Sequence, residues 1–257
     1  PEGWKDISND AGALKKFGLE KEMLFDRADA PDFLARVYQP DPNVFGSDIN
    51  PTLVFRGSRE PGIPSLSEYA SAIWNKTDLP SVKNGADWAN NFMQAVGGDS
   101  PYYRNAVGLG KKLSMTTQNI DVAGHSLGGG LASATSMASG KAGWTFNAAG
   151  LNSSTVAKYG GTILGSADNI QAYRVEGELL TKVQEVNLWE DYKTVKGYTP
   201  ALLLKEEISA LSPNAAGIAH DLPGGTGNEL DRHGINQAID CIEKQKNEDI
   251  SIIGGRL

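Results

Sequence analysis

The stretch Ile120-Asp121-Val122-Ala123-Gly124-His125-Ser126-Leu127-Gly128-Gly129-Gly130-Leu131-Ala132-Ser133-Ala134 decides how this chain folds. Residues 120–123 read as a short strand, and residues 127–139 as a helix stopped by Gly140. Between them lies Gly124-His125-Ser126-Leu127-Gly128, a G-x-S-x-G. With 30 glycines in 257 residues such a motif arises readily by chance, so its weight comes from its setting. A strand before it and a helix after it are what a nucleophile elbow requires. The glycines have a steric reason, because the positions two before and two after the serine approach too closely to admit a Cβ. The helix is nearly bare of bulk and can lie close to a sheet, with its N-terminus aimed at the serine. There the free N–H groups and the positive end of the dipole would stabilise an oxyanion, with the Leu127 N–H as first donor.

Outward from this stretch, strands alternate with helices. Residues 33–38, 52–56, 144–146 and 169–176 read as further strands. Residues 86–96 read as a helix with Trp88, Phe92, Ala95 and Val96 on one face, closed by Gly97-Gly98. Ser100 and Pro101 supply an N-cap and a first-turn proline for a helix reaching Leu113. Ile235, Ala238, Ile239 and Ile242 recur at helical spacing near the C-terminus. Strands joined by helical crossovers imply a three-layer α/β fold with a mainly parallel central sheet, covered on both faces. At this length one core suffices, since cores stop growing only at roughly 250–300 residues, so residues 1–257 are expected to form a single domain. Residues 61–85 and 188–204 fit the alternation poorly and are expected to be lid-like insertions that contact substrate.

Composition narrows the function. The chain carries 24 Lys+Arg against 31 Asp+Glu, a formal charge of −7, and has no basic run longer than two residues. That lacks the electrostatic footprint for a phosphate backbone, so nucleic acid is not an expected partner. The longest stretch without Asp, Glu, Lys or Arg, residues 122–140, is too rich in Gly and Ser to sit in hydrocarbon, so no transmembrane segment is expected. Pro1-Glu2-Gly3-Trp4-Lys5 has neither a basic nor an apolar signal-peptide region, although the absence of an initiating Met leaves lost targeting open. A soluble protein is expected. Export, delivery into another cell and a cytoplasmic place all stay open, since one cysteine, Cys241, allows no intrachain disulfide in any of them.

Gly124-His125-Ser126-Leu127-Gly128-Gly129 resembles the elbow of the class 3, fungal-type lipases of the α/β-hydrolase superfamily. Val54-Phe55-Arg56-Gly57-Ser58 is similar to their oxyanion-loop strand, and Asp87-Trp88 to the dipeptide that follows it. The resemblance covers roughly residues 50–240 and implies an α/β-hydrolase fold, with the Ser58 N–H as a second oxyanion donor. A looser resemblance, through Val175-Glu176-Gly177-Glu178-Leu179-Leu180-Thr181 and Arg232-His233-Gly234, is to bacterial lipase effectors delivered into rival cells. It implies a phospholipid substrate and an immunity protein as partner.

A serine nucleophile needs a general base held by a third group. Of the three histidines, His125 sits in the elbow beside the serine and is expected to point away from it and pack against a neighbouring element. His233 lies just before the Ile-striped helix, where the family places its base, and is the expected base; His220, in an expected loop with Asp221 and Pro223, is the alternative. The acid should fall between serine and histidine in the chain. Where the family places an Asp, this chain has Glu178, whose extra methylene demands a slightly retracted backbone; Asp191, Glu176 and Asp221 are alternatives.

Other signals imply less. Three unpaired histidines and one cysteine make no metal site. No dinucleotide or phosphate-binding glycine loop follows a strand, so no cofactor is expected. Residues 223–229 read as a loop, Cys241 as a buried small hydrophobe, and residues 243–249 as a solvated helix end. The expected activity is a serine ester hydrolase, of lipase or phospholipase A type, acting on lipid at a membrane or micelle surface. A catalytically silent scaffold serving as a binding module, and an acyltransferase using the same residues, are the alternatives.

Overall fold

The computed structural model describes residues 2–25, 27–30, 32–57, 99–178, 180–181 and 214–254. Among them seven strands form one sheet in sequential order: β1 (Trp4–Asp6), β2 (Ala35–Pro40), β3 (Thr52–Phe55), β4 (Asp121–His125), β5 (Gly143–Phe146), β6 (Ile170–Val175) and β7 (Ile218–Leu222). The two N-terminal pairings are antiparallel, and every pairing from β3 to β7 is parallel. The described helices are α1 (Ala11–Lys15), α2 (Pro42–Phe45), α3 (Pro101–Leu113), α4 (Leu127–Ser139), α5 (Thr155–Lys158), α6 (Glu229–His233) and α7 (Ile235–Gly254). This is the mainly parallel α/β architecture expected from the alternation.

Side-chain alternation along the strands sorts the layers. Leu53, Phe55 and Val122 are buried in one cluster with Leu109 and Leu113 of α3 and Leu127 and Leu131 of α4. Val175 and Leu222 form a second cluster with Ala238 and Cys241 of α7, the cysteine filling space as a small apolar side chain. Helices therefore cover both faces of the sheet.

The elbow helix α4 is almost wholly buried, and its small side chains allow this. Its polar members remain satisfied by bonding to main-chain carbonyls: Ser133 Oγ donates to Gly129 O at 2.9 Å, and Thr135 Oγ1 reaches Leu131 O at 2.9 Å and Ala106 O, on α3, at 3.0 Å. Gly110 brings α3 in as closely, since a Cβ there would lie 2.7 Å from that of Ala138.

Two expectations are corrected. Residues 218–222, read as loop around His220, are the edge strand β7. Their polarity hid the strand, because pairing is provided by cross-strand contacts: Arg174 Nε and Nη2 both donate to Asp221 Oδ1, at 3.0 and 2.7 Å, between register partners. Residues 243–249, read as a helix end, lie inside α7, which continues to Gly254. The N-terminal strand β1 and helix α1 are not among the elements expected from the sequence. The expected helix over residues 86–96 and the insertions at 61–85 and 188–204 lie outside the described residues.

Candidate active site

The parallel strands β4, β5 and β6 deliver their C-terminal ends to one edge of the sheet, where open α/β sheets hold their sites. At the end of β4 the chain turns abruptly into α4 through Ser126, which has φ 57° and ψ −126°. A left-handed φ on a residue with a side chain costs of order 1–3 kcal/mol and persists only where the surroundings impose it. Here they do: the Ser126 N–H donates to Phe146 O at 3.1 Å, and its carbonyl accepts from Gly129 and Ala149 N–H groups at 2.9 Å each. The two flanking glycines are required by contact. A Cβ at Gly124 would lie 2.1 Å from Gly128 O, and one at Gly128 would lie 2.4 Å from Phe55 O. Leu127 opens α4, so its N–H has no carbonyl one turn back within the helix. Gly57 runs beside the turn, with room for a Cβ only 2.7 Å from His125 O. Ser58, the expected second oxyanion donor, lies outside the described residues.

Ser126 Oγ lies 2.9 Å from His233 Nε2, and His233 Nδ1 lies 2.7 Å from Glu178 Oε2. The carboxylate can only accept, so Nδ1 carries the ring proton and Nε2 offers its lone pair to the serine hydroxyl. Glu178 is buried and lies three residues beyond β6, after a turn in which Gly177 has φ 72° and the Glu178 N–H donates to Val175 O at 3.1 Å. Its carboxylate also accepts from the backbone N–H groups of Leu180, at 2.9 Å, and Thr181. The longer side chain thus reaches both the ring and the following turn, as a helix N-cap does. Burial raises the pKa of this carboxyl, but the bonds from His233 and Thr181 outweigh it and hold the group below its ordinary 4.5. It stands as an anion at neutral pH.

The alternatives fall elsewhere. His220, on β7, stacks on Tyr173 with ring centroids 4.8 Å apart and places Nε2 2.6 Å from Gln171 Oε1. Asp221 pairs with Arg174, and Glu176 is exposed. Asp191 lies outside the described residues. Among the described residues no group of acidic, histidine or cysteine side chains could hold a metal ion, and no helix is long and apolar enough to cross a membrane.

His125 does more than pack. Its ring lies 5.0 Å from that of His233, and its Nε2 donates to the His233 carbonyl at 2.6 Å. Burial drives its pKa from 6.5 down to about 4, against the opposing pull of that hydrogen bond. In the unfolded chain the ring binds a proton near pH 6.5 and in the folded protein only near pH 4. Between these values the unfolded state holds more protons, so stability should fall as pH drops through this window, by about 3 kcal/mol in all, and the His125 contribution should level off below it. Urea unfolding from pH 7 to 4 should show that loss in the wild type and not in His125→Gln; equal slopes would contradict a buried neutral ring.

Sequence reading also missed Asn147, the residue after β5. Its side chain is buried and its φ is 43°. Its partners are main-chain groups, which no sequence pattern displays.

A mainly parallel sheet layered by helices, a strained serine between strand and helix, and a ring bonded to both that serine and a buried carboxylate are the marks of an α/β-hydrolase-type protein. The chain belongs to the Tle-like phospholipase domain family, whose model matches residues 1–228. It is also 36% identical over 105 residues to the extracellular phospholipase A1 of Serratia liquefaciens, a match that covers 38% of this chain and 33% of that relative. The matched stretch thus spans a third of the relative's length.

Proposed function

We propose that the protein hydrolyses the acyl esters of phospholipids, with Ser126 as nucleophile, His233 as general base and acid, and Glu178 as the anion that holds the ring. The observation that carries this reading is the bonded chain from Ser126 Oγ through His233 to Glu178, at 2.9 and 2.7 Å. Ser126 Oγ attacks the acyl carbonyl carbon while His233 Nε2 takes the hydroxyl proton, and the Leu127 N–H meets the developing oxyanion, with Ser58 as the second donor. Collapse of the tetrahedral intermediate breaks the bond to the glycerol oxygen, which leaves with the proton from His233. Water, deprotonated by the same ring, then attacks the acyl-enzyme; the fatty acid departs and Ser126 regains its proton. Phospholipid as substrate is supported by family membership and by the name of the Serratia relative, which also points to the sn-1 ester.

Mass spectrometry of vesicles made from phosphatidylcholine with two different acyl chains tests this. The expected products are the sn-1 fatty acid and a lysophospholipid that keeps the sn-2 chain. Release of the sn-2 chain would overturn the positional part, and product yields no greater than those of Ser126→Ala would overturn the hydrolase.

A further inference from the structure

The ring of His233 is fixed at its two nitrogens, but hydrogen bonds to a ring cannot fix where the main chain that carries it stands. His233 is the last residue of the five-residue helix α6, so its carbonyl and that of Arg232 lie in the terminal turn that has no helical donor of its own. In this protein the donors come from the last residue of β4 and the residue after β5. Asn147 Nδ2 donates to Arg232 O at 3.1 Å and to His233 O at 2.9 Å, while His125 Nε2 donates to the same His233 O at 2.6 Å. The other end of the Asn147 amide accepts from the Val175 N–H at 2.8 Å, and its own N–H donates to Tyr173 O at 2.8 Å. One buried amide therefore ties the end of β6, three residues before Glu178, to the end of the helix that carries His233. His125 and Phe146, the residue before Asn147, are register partners on β4 and β5, so the two donors come from adjacent strand ends. The left-handed backbone of Asn147 is what turns its amide into this position, and asparagine tolerates that conformation better than most residues.

We propose that Asn147 and His125 are positioning residues that cap α6 through the His233 carbonyl and so set the imidazole against Ser126, without touching substrate. This rests on the reading of Ser126 and His233 given above. A misplacement of about 1 Å can cost about 100-fold in rate, so the grip should appear in kcat rather than in KM.

Four single variants of the full chain and one double variant test it: Asn147→Asp, which keeps the acceptor for Val175 and loses both donors; His125→Leu, which loses the donor; His125→Gln, which can restore one; Ser126→Ala; and Asn147→Asp combined with His125→Leu. Each of the first three is assayed with a short monomeric acyl ester, with kcat counted per serine titrated by a fluorophosphonate so that misfolded protein does not count. Asn147→Asp and His125→Leu should each lower kcat about 10- to 100-fold with little change in KM. His125→Gln should recover most of that loss. The combined Asn147→Asp/His125→Leu chain should lose less than the product of the single losses, since the two residues share the His233 carbonyl oxygen. Wild-type kcat per titrated serine in the single variants, with Ser126→Ala inactive, would overturn the positioning roles and leave the catalytic reading standing. Full activity in Ser126→Ala would overturn the catalytic reading itself. Should Asn147→Asp fail to fold, the His125→Leu and His125→Gln pair decides: equal kcat in the two overturns the proposal, and recovery by glutamine supports it.

Discussion

Ser126→Ala should lower the turnover of acyl esters by roughly 10⁴-fold or more while leaving the thermal midpoint close to that of the wild type. The rate effect is large because, among the described residues, Ser126 Oγ is the hydroxyl that stands 2.9 Å from the His233 ring at the turn into α4. Without it, water must attack without a covalent intermediate and without the alignment that the ring and the helix N-terminus provide. The stability effect is small because, among the described residues, Oγ makes one hydrogen bond, and that bond is only partly buried. Residues that act as a unit do not add, so His233→Ala in the Ser126→Ala background should cost nothing further. Glu178→Gln should be severe as well: an amide no longer balances the imidazolium that forms, and its NH₂ end can turn the ring toward the wrong tautomer. Initial rates on a soluble ester, corrected for the uncatalysed reaction, decide this. A loss under about tenfold in Ser126→Ala would show that the chemistry occurs elsewhere.

Gly124→Ala should abolish or nearly abolish folding, with a loss above about 4 kcal/mol if any folded protein is recovered. The added methyl would meet the Gly128 carbonyl oxygen at 2.1 Å and its carbon at 2.3 Å, and both are main-chain atoms in the first turn of a buried helix. No rotamer relieves that contact, so α4 would have to lift from the sheet, away from Leu53, Phe55 and Val122. Gly108→Ala is the internal control. It lies on the exposed side of α3, where an added Cβ meets nothing within 4 Å, and it should gain about 0.5–1 kcal/mol from the lower entropy of the unfolded chain. Urea unfolding of the three proteins compares them directly; a Gly124→Ala protein as stable as the wild type would contradict the close approach.

The elements most legible in the sequence are those whose ends are set by local chemistry. Helix α4 runs Leu127–Ser139 as expected because its start is the elbow and its stop is Gly140, whose φ is 73°. Helix α3 runs Pro101–Leu113 as expected because Ser100 accepts from the Tyr103 N–H and proline opens the first turn. Strand β7 was not legible, since its sequence lacks an apolar alternation and its stability is borrowed from Arg174, Gln171 and Tyr173 on the neighbouring strand. Strand β1, three residues long, is too short to carry a pattern. At the site, Glu178 could be singled out from chain order and from the place where the class 3 lipases it resembles carry their acid, even though it departs from their aspartate. The grip on His233 could not, because the groups that Asn147 and His125 hold are carbonyls common to every residue.

The sequential order of the sheet bears on when the protein becomes reactive as it folds. Ser126 and His233 are 107 residues apart, and the described strands between them pair in parallel, so none can close on its neighbour by a tight hairpin. Such long-range closures are slow to form. Helical signal from α3 and α4, both made of local contacts, should return early after dilution from denaturant. Capture of an organophosphate at Ser126 should lag behind it until the last strand and its helix have docked, so that the reagent serves as a clock for the completion of folding.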